Sequence, residues 1–192
     1  IRLPDINSLS LNYRDFTNQF FVQTTFKRRF AVGVKTEIQR IRAITENIIE
    51  ENDQNISDNS TYFNAAAFLK LDTYNKRYFA TKGFYLDLEF KWFIASSDFA
   101  NNFKNYPQAK GTFGFAIPIS KNLTIQNTNA AGFSLEEVPS DVFDFYLGGN
   151  NQNYINNFVS FYGYEFATLS DDSFIKSEFD LRYEFLPKHY FS

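Results

Sequence analysis

The sequence predicts an all-β chain arranged as an antiparallel up-and-down β-barrel, and three observations lead to this prediction. Apolar and polar residues alternate with a period of two, which is the period of a β-strand and not of a helix. A short connection follows a long one along the chain, as in a meander of antiparallel strands. Phe, Tyr and Trp make up 20% of the 192 residues although the mean hydropathy is -0.36, so apolar and polar residues are finely sorted. An aromatic content this high excludes a disordered chain.

Two stretches, 84–94 and 175–185, show the alternation most clearly. The apolar faces of the two stretches contain Phe84, Leu86, Leu88, Phe90, Trp92, Phe179, Leu181 and Tyr183. The charged faces contain Asp87, Glu89, Lys91, Lys176, Glu178, Asp180, Arg182 and Glu184. Ser177 is the one polar residue that interrupts the second apolar face. Each stretch is therefore predicted to be a strand with two different environments.

Weaker alternation predicts the other strands, about nine to ten in all. They begin near residues 9, 20, 30, 63, 113, 123 and 158, and one more begins at Tyr190. An Ile-rich run at 38–48 also fits a helix, so that alternative stays open there. Pro118 is expected to mark a bulge or a strand end.

The predicted connections fall into two groups. Tight connections lie at 27–29, 121–122 and 170–172. The connection at 73–82 is of intermediate length, and counting strands along the meander places it at the same end as the tight ones. Long polar connections lie at 44–60, 96–107 and 135–155. No change of composition marks a second domain, so residues 1–192 are predicted to form a single β-barrel domain or a barrel fragment. The lack of a starting Met and of a signal segment fits a mature or excised fragment.

Charge, cysteine and histidine content exclude several classes of function. The 19 basic and 22 acidic residues are scattered and give a net charge of -3, so no basic patch indicates nucleic-acid binding. The absence of Cys excludes disulfides and thiolate metal sites. The single histidine, His189, lies in a Pro-Lys-His turn, and no nucleophile elbow or phosphate-binding loop occurs. We therefore predict no catalytic residue, no cofactor and no metal in this chain.

The length of the strands favours lipid, and not a protein core, on the apolar face. Strands of soluble proteins commonly have about 5–6 residues, whereas the clearest alternation here continues for longer. About twelve residues at roughly 3.3 Å each, tilted by about 45°, cover close to 28 Å, which is near the hydrocarbon thickness of a bilayer. The charged face suits a wet lumen, and Trp92 near a strand end suits an interfacial aromatic girdle. We expect a transmembrane barrel with the apolar residues named above facing lipid and the charged ones facing the lumen.

The alternative is a soluble or small closed β-barrel that binds an apolar ligand in its interior. In that arrangement Phe84, Leu86, Leu88, Phe90 and Trp92 would line the pocket. A third and weaker hypothesis is an enzymatic outer-membrane barrel that uses a hydroxyl nucleophile.

One glycine-rich aromatic segment is distinct from the strands. Residues 145–149 end in Gly148 and Gly149, and after eleven residues the sequence continues with Phe161, Tyr162, Gly163 and Tyr164. Followed by the strand at 174–186, this order resembles the outer-membrane barrels of the BamA and two-partner-secretion transporter superfamily, also called bacterial surface antigen. In that family an arginine-containing V/L-R-G-F/Y tetrad of the sixth extracellular loop packs inside the barrel. The tetrad aligns with residues 161–164, and Tyr162 stands where the arginine is expected.

The stretch 82–88 (KGFYLDL) is similar to the barrels that follow patatin-like phospholipase domains in Gram-negative bacteria. The resemblance implies a sixteen-stranded barrel in the bacterial outer membrane, of which this chain would hold roughly strands five to thirteen. A closed barrel of eight or ten strands stays open as an alternative. The resemblance further implies that the barrel anchors, assembles or exports an attached soluble domain, and that any lipid hydrolysis belongs to that domain. The implied partners are membrane lipid, the attached or exported domain and the outer-membrane assembly machinery, with no nucleic acid.

Overall fold

The fold is known from a computed structural model that describes residues 9–47, 54–97, 103–136, 143–149, 157–165, 168–186 and 189–191. The strands are β1 (Leu9–Phe26), β2 (Phe30–Asn47), β3 (Gln54–Asp72), β4 (Gly83–Ser96), β5 (Tyr106–Pro118), β6 (Leu123–Ser134), β7 (Phe145–Leu147), β8 (Phe158–Val159), β9 (Leu169–Asp171), β10 (Ser173–Leu186) and β11 (His189–Phe191). No helix in these ranges has the length and hydropathy needed to cross a bilayer.

One large antiparallel sheet contains every long strand. Its order is β1-β2-β3-β4-β5-β6-β10-β11, so consecutive strands are neighbours except where the chain leaves β6 and returns at β10. The excursion forms a second, three-stranded sheet in the order β8-β7-β9. Within the described residues the large sheet is not closed, and β1 and β11 are its two edges. The predicted all-β, antiparallel, up-and-down architecture is confirmed.

The long strands are longer than the alternation alone predicts. β1 and β2 have 18 residues each and pair without interruption, and β3 has 19. The predicted long connection at 44–60 shrinks because β2 continues to Asn47 and β3 begins at Gln54. Polar residues can extend strands in this way because the ladder hydrogen bonds join main-chain groups whatever the side chains are. The run from Ile38 to Asn47 is part of β2, so the helical alternative is wrong there.

The predicted strand beginning at residue 158 is wrong. Only Phe158 and Val159 form strand β8, and residues 161–164 form a bridge and a turn instead. Asn157 and Gly163 both adopt positive φ, at 59° and 87°, and such residues interrupt an extended backbone. Pro118 ends β5, as one of the two expectations for it stated.

The two faces of the large sheet differ in composition. We call the face against which residues 143–149 and 157–161 pack the inner face, and the opposite one the outer face. Large apolar side chains are exposed on the outer face, among them Phe20, Val34, Ile38, Leu88, Phe90, Trp92, Phe113, Phe133, Ile175, Phe179 and Leu181. Polar and charged side chains are buried on the inner face, among them Glu37, Gln39, Asn64, Lys91 and Gln108. A soluble barrel has the opposite distribution.

Candidate functional site

The candidate site is the inner face of the large sheet together with the segment that folds onto it. Three layers follow one another along the strands. An aromatic cluster lies at the end of the long connections, a group of ion pairs lies in the middle, and the turn at 73–82 lies at the end of the tight turns. Tilted strands with alternating side chains bring residues of six strands to this surface.

The middle layer is a group of buried ion pairs that we call the ion lattice, formed by Lys35, Glu37, Glu89, Lys91 and Lys110. The Glu37 carboxylate lies 2.9 Å from the Lys35 ammonium and 2.7 Å from that of Lys91. Glu89 lies 2.6 Å from Lys35 and 3.3 Å from Lys110. Except for Lys110, these side chains are at most 14% exposed, so each charge depends on its partners and not on water for compensation.

A small residue on the intervening strand makes the lattice possible. Lys35 belongs to β2 and Lys91 to β4, and both are register partners of Ala66 on β3. The methyl group of Ala66 leaves space above β3 in which side chains from β2 and β4 meet. The Lys35–Glu89 and Lys91–Glu37 pairs therefore connect β2 and β4, which are not hydrogen-bonded to each other.

The aromatic cluster contains one residue of the folded segment, Phe143. Its ring makes edge contacts with Tyr62 at 4.6 Å and with Phe93 at 4.7 Å between centroids, and Phe93 stacks on Tyr106 at 4.5 Å. Ile41 completes the cluster. Edge-to-face and stacked rings at these separations are favourable beyond the area that they bury. The cluster therefore anchors the start of the segment to the wall.

The main chain of Phe143 is held as firmly as its ring. Its carbonyl oxygen accepts hydrogen bonds from the side-chain amides of Gln108 (3.1 Å) and Asn157 (2.9 Å). Asn157 also donates to the Gln108 side-chain oxygen at 2.9 Å. All three residues are buried. Because buried polar groups are costly unless paired, this triangle favours one docked position of the segment.

The two halves of the predicted fold-back motif meet in the structure. Gly149 and Phe161 form an antiparallel bridge, and the amide of Gly149 donates to the carbonyl of Tyr164 at 2.9 Å. Gly148, Gly149 and Gly163 all have positive φ, which glycine adopts without strain. The side chains of Tyr162 and Tyr164 are exposed.

A cation lies where the fold-back motif contacts the large sheet, but it belongs to the sheet and not to the motif. Lys176 on β10 donates to the carbonyl oxygen of Ser160 at 2.8 Å and pairs with Glu178 at 3.0 Å. Its ammonium also lies 5.9 Å from the centroid of the Tyr162 ring, within the range of a cation–π contact. Tyr162, which stands where the resemblance implies an arginine, thus offers a π-face to a lysine of the large sheet.

The turn at 73–82 reaches the inner face from the other end. Phe79 has a positive φ of 53°, and the guanidinium of Arg182 lies 5.1 Å from its ring centroid. Arg182 also pairs with Asp180. Burial raises the pKa of the Tyr74 hydroxyl, and the nearby Asp72 carboxylate raises it further, so this phenol stays protonated.

A polar cavity of about 560 Å³ lies between the folded segment and the wall. Its charged lining consists of Lys70, Asp87, Glu89, Lys110, Lys176 and Glu178. The charges alternate in sign, as Lys70 pairs with Asp87, Lys110 with Glu89, and Lys176 with Glu178. Such a lining is polar and nearly balanced in charge. Among the residues that the structure describes, no group of three or more metal-ligating side chains could hold an ion.

The sequence-predicted residues occupy both faces. Phe84, Leu88, Phe90, Trp92, Phe179, Leu181 and Tyr183 are exposed on the outer face, where Leu86 is half-buried. Asp87, Glu89, Lys91, Lys176, Glu178, Asp180, Arg182 and Glu184 are buried or half-buried on the inner face. The sequence reasoning missed Lys35, Glu37, Gln108, Phe143 and Asn157. The alternation in β2 carried a signal for Lys35 and Glu37, whereas no local pattern distinguishes Phe143 or Asn157.

Comparison with known families gives a match over the whole chain. A family model described as the OMP85 superfamily matches residues 1–192, which is the whole chain. No curated protein matches the sequence.

Proposed function

The chain belongs to the OMP85 superfamily, and from this premise we propose that it is an outer-membrane barrel wall that anchors, assembles or exports an attached soluble domain. Proteins of this superfamily are bacterial outer-membrane proteins. In this proposal residues 1–192 form one barrel domain or a fragment of one, and any lipid hydrolysis belongs to the attached domain.

The observation that carries the proposal is the distribution of side chains between the two faces. Ile175, Phe179 and Leu181 are 86%, 76% and 58% exposed, whereas Glu37 and Lys91 are 5% and 7% exposed. In water this arrangement would expose a continuous apolar surface and bury charge at a high cost. In a bilayer the apolar face contacts lipid and the charged face contacts a wet lumen. The soluble ligand-binding alternative requires Leu88, Phe90 and Trp92 inside, opposite to where they lie.

The folded segment supports a role in which the lumen is occupied at rest. The aromatic cluster and the Gln108–Asn157 pair fix Phe143 at one end of the segment, and Lys176 fixes Ser160 at the other. Passage of a polypeptide along this face would require the segment to move. We propose that this docked segment is the fold-back motif of the chain, formed by Gly148, Gly149 and residues 161–164.

The attached domain is proposed to be patatin-like, on the resemblance of residues 82–88. That stretch enters β4 through Gly83, which has a φ of 114°, and a β-carbon there would lie 2.5 Å from the Thr73 carbonyl oxygen. The positive φ and the lack of space for a β-carbon explain why the residue at position 83 is a glycine. The nature of the attached domain is proposed from the sequence alone.

The test separates a membrane barrel from a soluble one. The full-length protein, expressed in a Gram-negative host, is expected in the outer-membrane fraction and in detergent extracts, with β circular dichroism and heat-dependent gel mobility. Surface proteolysis of intact cells then reports whether the attached domain is exported or stays inside. A monodisperse β protein in detergent-free buffer would overturn the proposal.

A further inference from the structure

On the outer face of β6 and β10, a polar cluster lies among apolar residues, and we call it the amide ring. Asn127 and Asn129 lie on β6, and Ser177 is the register partner of Asn129 on β10. The Ser177 hydroxyl donates to the Asn129 side-chain oxygen at 2.8 Å, Asn129 donates to Asn127, and Asn127 donates back to Ser177 at 3.3 Å. The three side chains thus form a closed ring of hydrogen bonds. Asn127 uses its other N–H on the carbonyl oxygen of Glu178.

One N–H group of the amide ring has no acceptor within the ring. A side-chain amide has two N–H groups, and Asn129 uses one of them on Asn127. No acceptor for the second occurs among the residues described here. In hydrocarbon an N–H without an acceptor is strongly unfavourable, so an acceptor oxygen from outside the chain is favoured.

A groove of about 590 Å³ adjoins Asn129 on the same face. Leu88, Gly111, Ala131 and Ile175 form one row of register partners across four strands. Because the two central residues of the row are small and the outer two are large, the surface is depressed in the middle. Phe113 and Phe133 border the depression on either side of this row, and Asn129 lines it as well. The volume lies in the range of about 300–1,000 Å³ that is usual for small-molecule sites.

We propose that this groove binds one acyl chain of a membrane lipid, and that the second N–H of Asn129 donates to a hydroxyl oxygen on that chain. The inference rests on the proposed function, because only an outer wall in a bilayer presents the groove to lipid. The groove matches the occupant in chemistry: its floor and sides are apolar, and its one polar lining side chain on this face is a hydrogen-bond donor in need of an acceptor. The outer-face residues of β4 and β10 beside the groove, such as Phe90 and Phe179, are apolar and would contact lipid without preference.

The experiment uses bromine-labelled lipid, since bromine quenches tryptophan fluorescence on contact. Trp92 lies on the outer face but does not line the groove, so it reports contact with bulk lipid. A second reporter, Phe133→Trp in a Trp92→Phe background, reports the groove itself. The full-length protein is placed first in vesicles of dibromostearoyl phosphatidylcholine. Quenching of both reporters is expected, and quenching of neither would contradict the proposed function and the groove together.

The second stage uses detergent micelles with limiting dibromostearoyl phosphatidylcholine. Saturable quenching is expected at the groove reporter and not at Trp92. Ala131→Phe, which fills the groove, should remove the saturable component, and Ala131→Leu is the milder variant if the first fails to fold. Ala65→Phe makes the same change on the same face, beside Trp92 and outside the groove, and should leave the component unchanged. Equal, unsaturable quenching at both reporters would overturn the groove while leaving the membrane barrel intact.

The role of Asn129 is tested by competition. Hydroxystearoyl phosphatidylcholine and its stearoyl counterpart are compared as competitors of the bromolipid. Asn129→Leu is expected to weaken displacement by the hydroxylated lipid about fivefold, as for one lost hydrogen bond, and to leave the plain lipid unchanged. An equal change for both competitors, or none for either, would remove Asn129 from the site.

Discussion

The ammonium of Lys35 and the carboxylate of Glu89 lie 2.6 Å apart although a whole strand, β3, separates the strands that carry them. The contact passes above Ala66, the one small side chain between them on the inner face. Ladder hydrogen bonds connect only neighbouring strands. The ion lattice therefore adds links of a different kind, between second neighbours in the sheet.

Removal of Glu37 should destabilise the barrel strongly. Glu37→Ala leaves the Lys91 ammonium, whose side chain is 9% exposed, with only the more distant lattice carboxylate, and breaking a buried pair costs about 3–5 kcal/mol. Lys70→Ala is the matched control, because Lys70 is 54% exposed and its pair with Asp87 is worth about 0–1 kcal/mol. Urea unfolding in detergent, followed by tryptophan fluorescence, measures both. Similar losses in the two variants would contradict the buried lattice.

Enlarging Ala66 should disrupt the lattice without changing any charge. Ala66→Leu places bulk where side chains of β2 and β4 meet, and overpacking of this kind costs about 1–3 kcal/mol. Ala67→Leu is the control on the next residue, which is exposed on the outer face between Val34 and Phe90. We expect it to be tolerated. If the two variants unfold at the same urea concentration, the space above Ala66 has no special role.

The two faces should respond oppositely to changes of charge. Leu88→Arg is expected to cost about 2–4 kcal/mol if Leu88 lies at mid-bilayer. Glu178→Ala should be mild, because Glu178 is 43% exposed and lies beside a polar cavity. Refolding yield into phospholipid vesicles compares the two. A loss for Glu178→Ala as large as that for Leu88→Arg would argue against a wet inner face.

Gly163 should be sensitive to backbone conformation and not to side-chain size. A β-carbon there would meet nothing within 4 Å, but the φ of 87° strains a branched residue. Gly163→Val is expected to loosen the fold-back, whereas Gly163→Asn should be better tolerated since Asn adopts positive φ more readily. Heat-dependent gel migration and limited proteolysis of the segment report the difference. Normal migration and protease resistance of the valine variant would remove Gly163 from this role.

The sequence predicted those strands in which apolar and polar residues alternate clearly within the strand itself. β4 and β10 alternate at nearly every position, because each strand separates two unlike environments along its whole length. β5 and β6 are longer than predicted because Gly, Ala, Thr and Asn weaken the alternation, and pairing with neighbouring strands decides their structure. The segment at 158–165 alternates in sequence without being a long strand, since positive φ at Asn157 and Gly163 overrides the pattern.

The candidate site was predictable only where its residues lie on a strand with clear alternation. Glu89, Lys91, Lys176 and Glu178 follow from alternation, and the meeting of Gly149 with Phe161 follows from the glycine pattern. Phe143 and Asn157 depend on contacts with residues far away in the sequence, such as Gln108, which lies 35 positions from Phe143 and 49 from Asn157. No local period encodes contacts at that separation.

The links across Ala66 also have a kinetic consequence. Lys35 and Glu89 come together only after β2, β3 and β4 have all paired in register. These contacts therefore form late in folding. Interactions that are absent from the folding transition state slow unfolding and leave the folding rate unchanged. The lattice should therefore act on how long an inserted barrel lasts, and hardly at all on how fast it inserts.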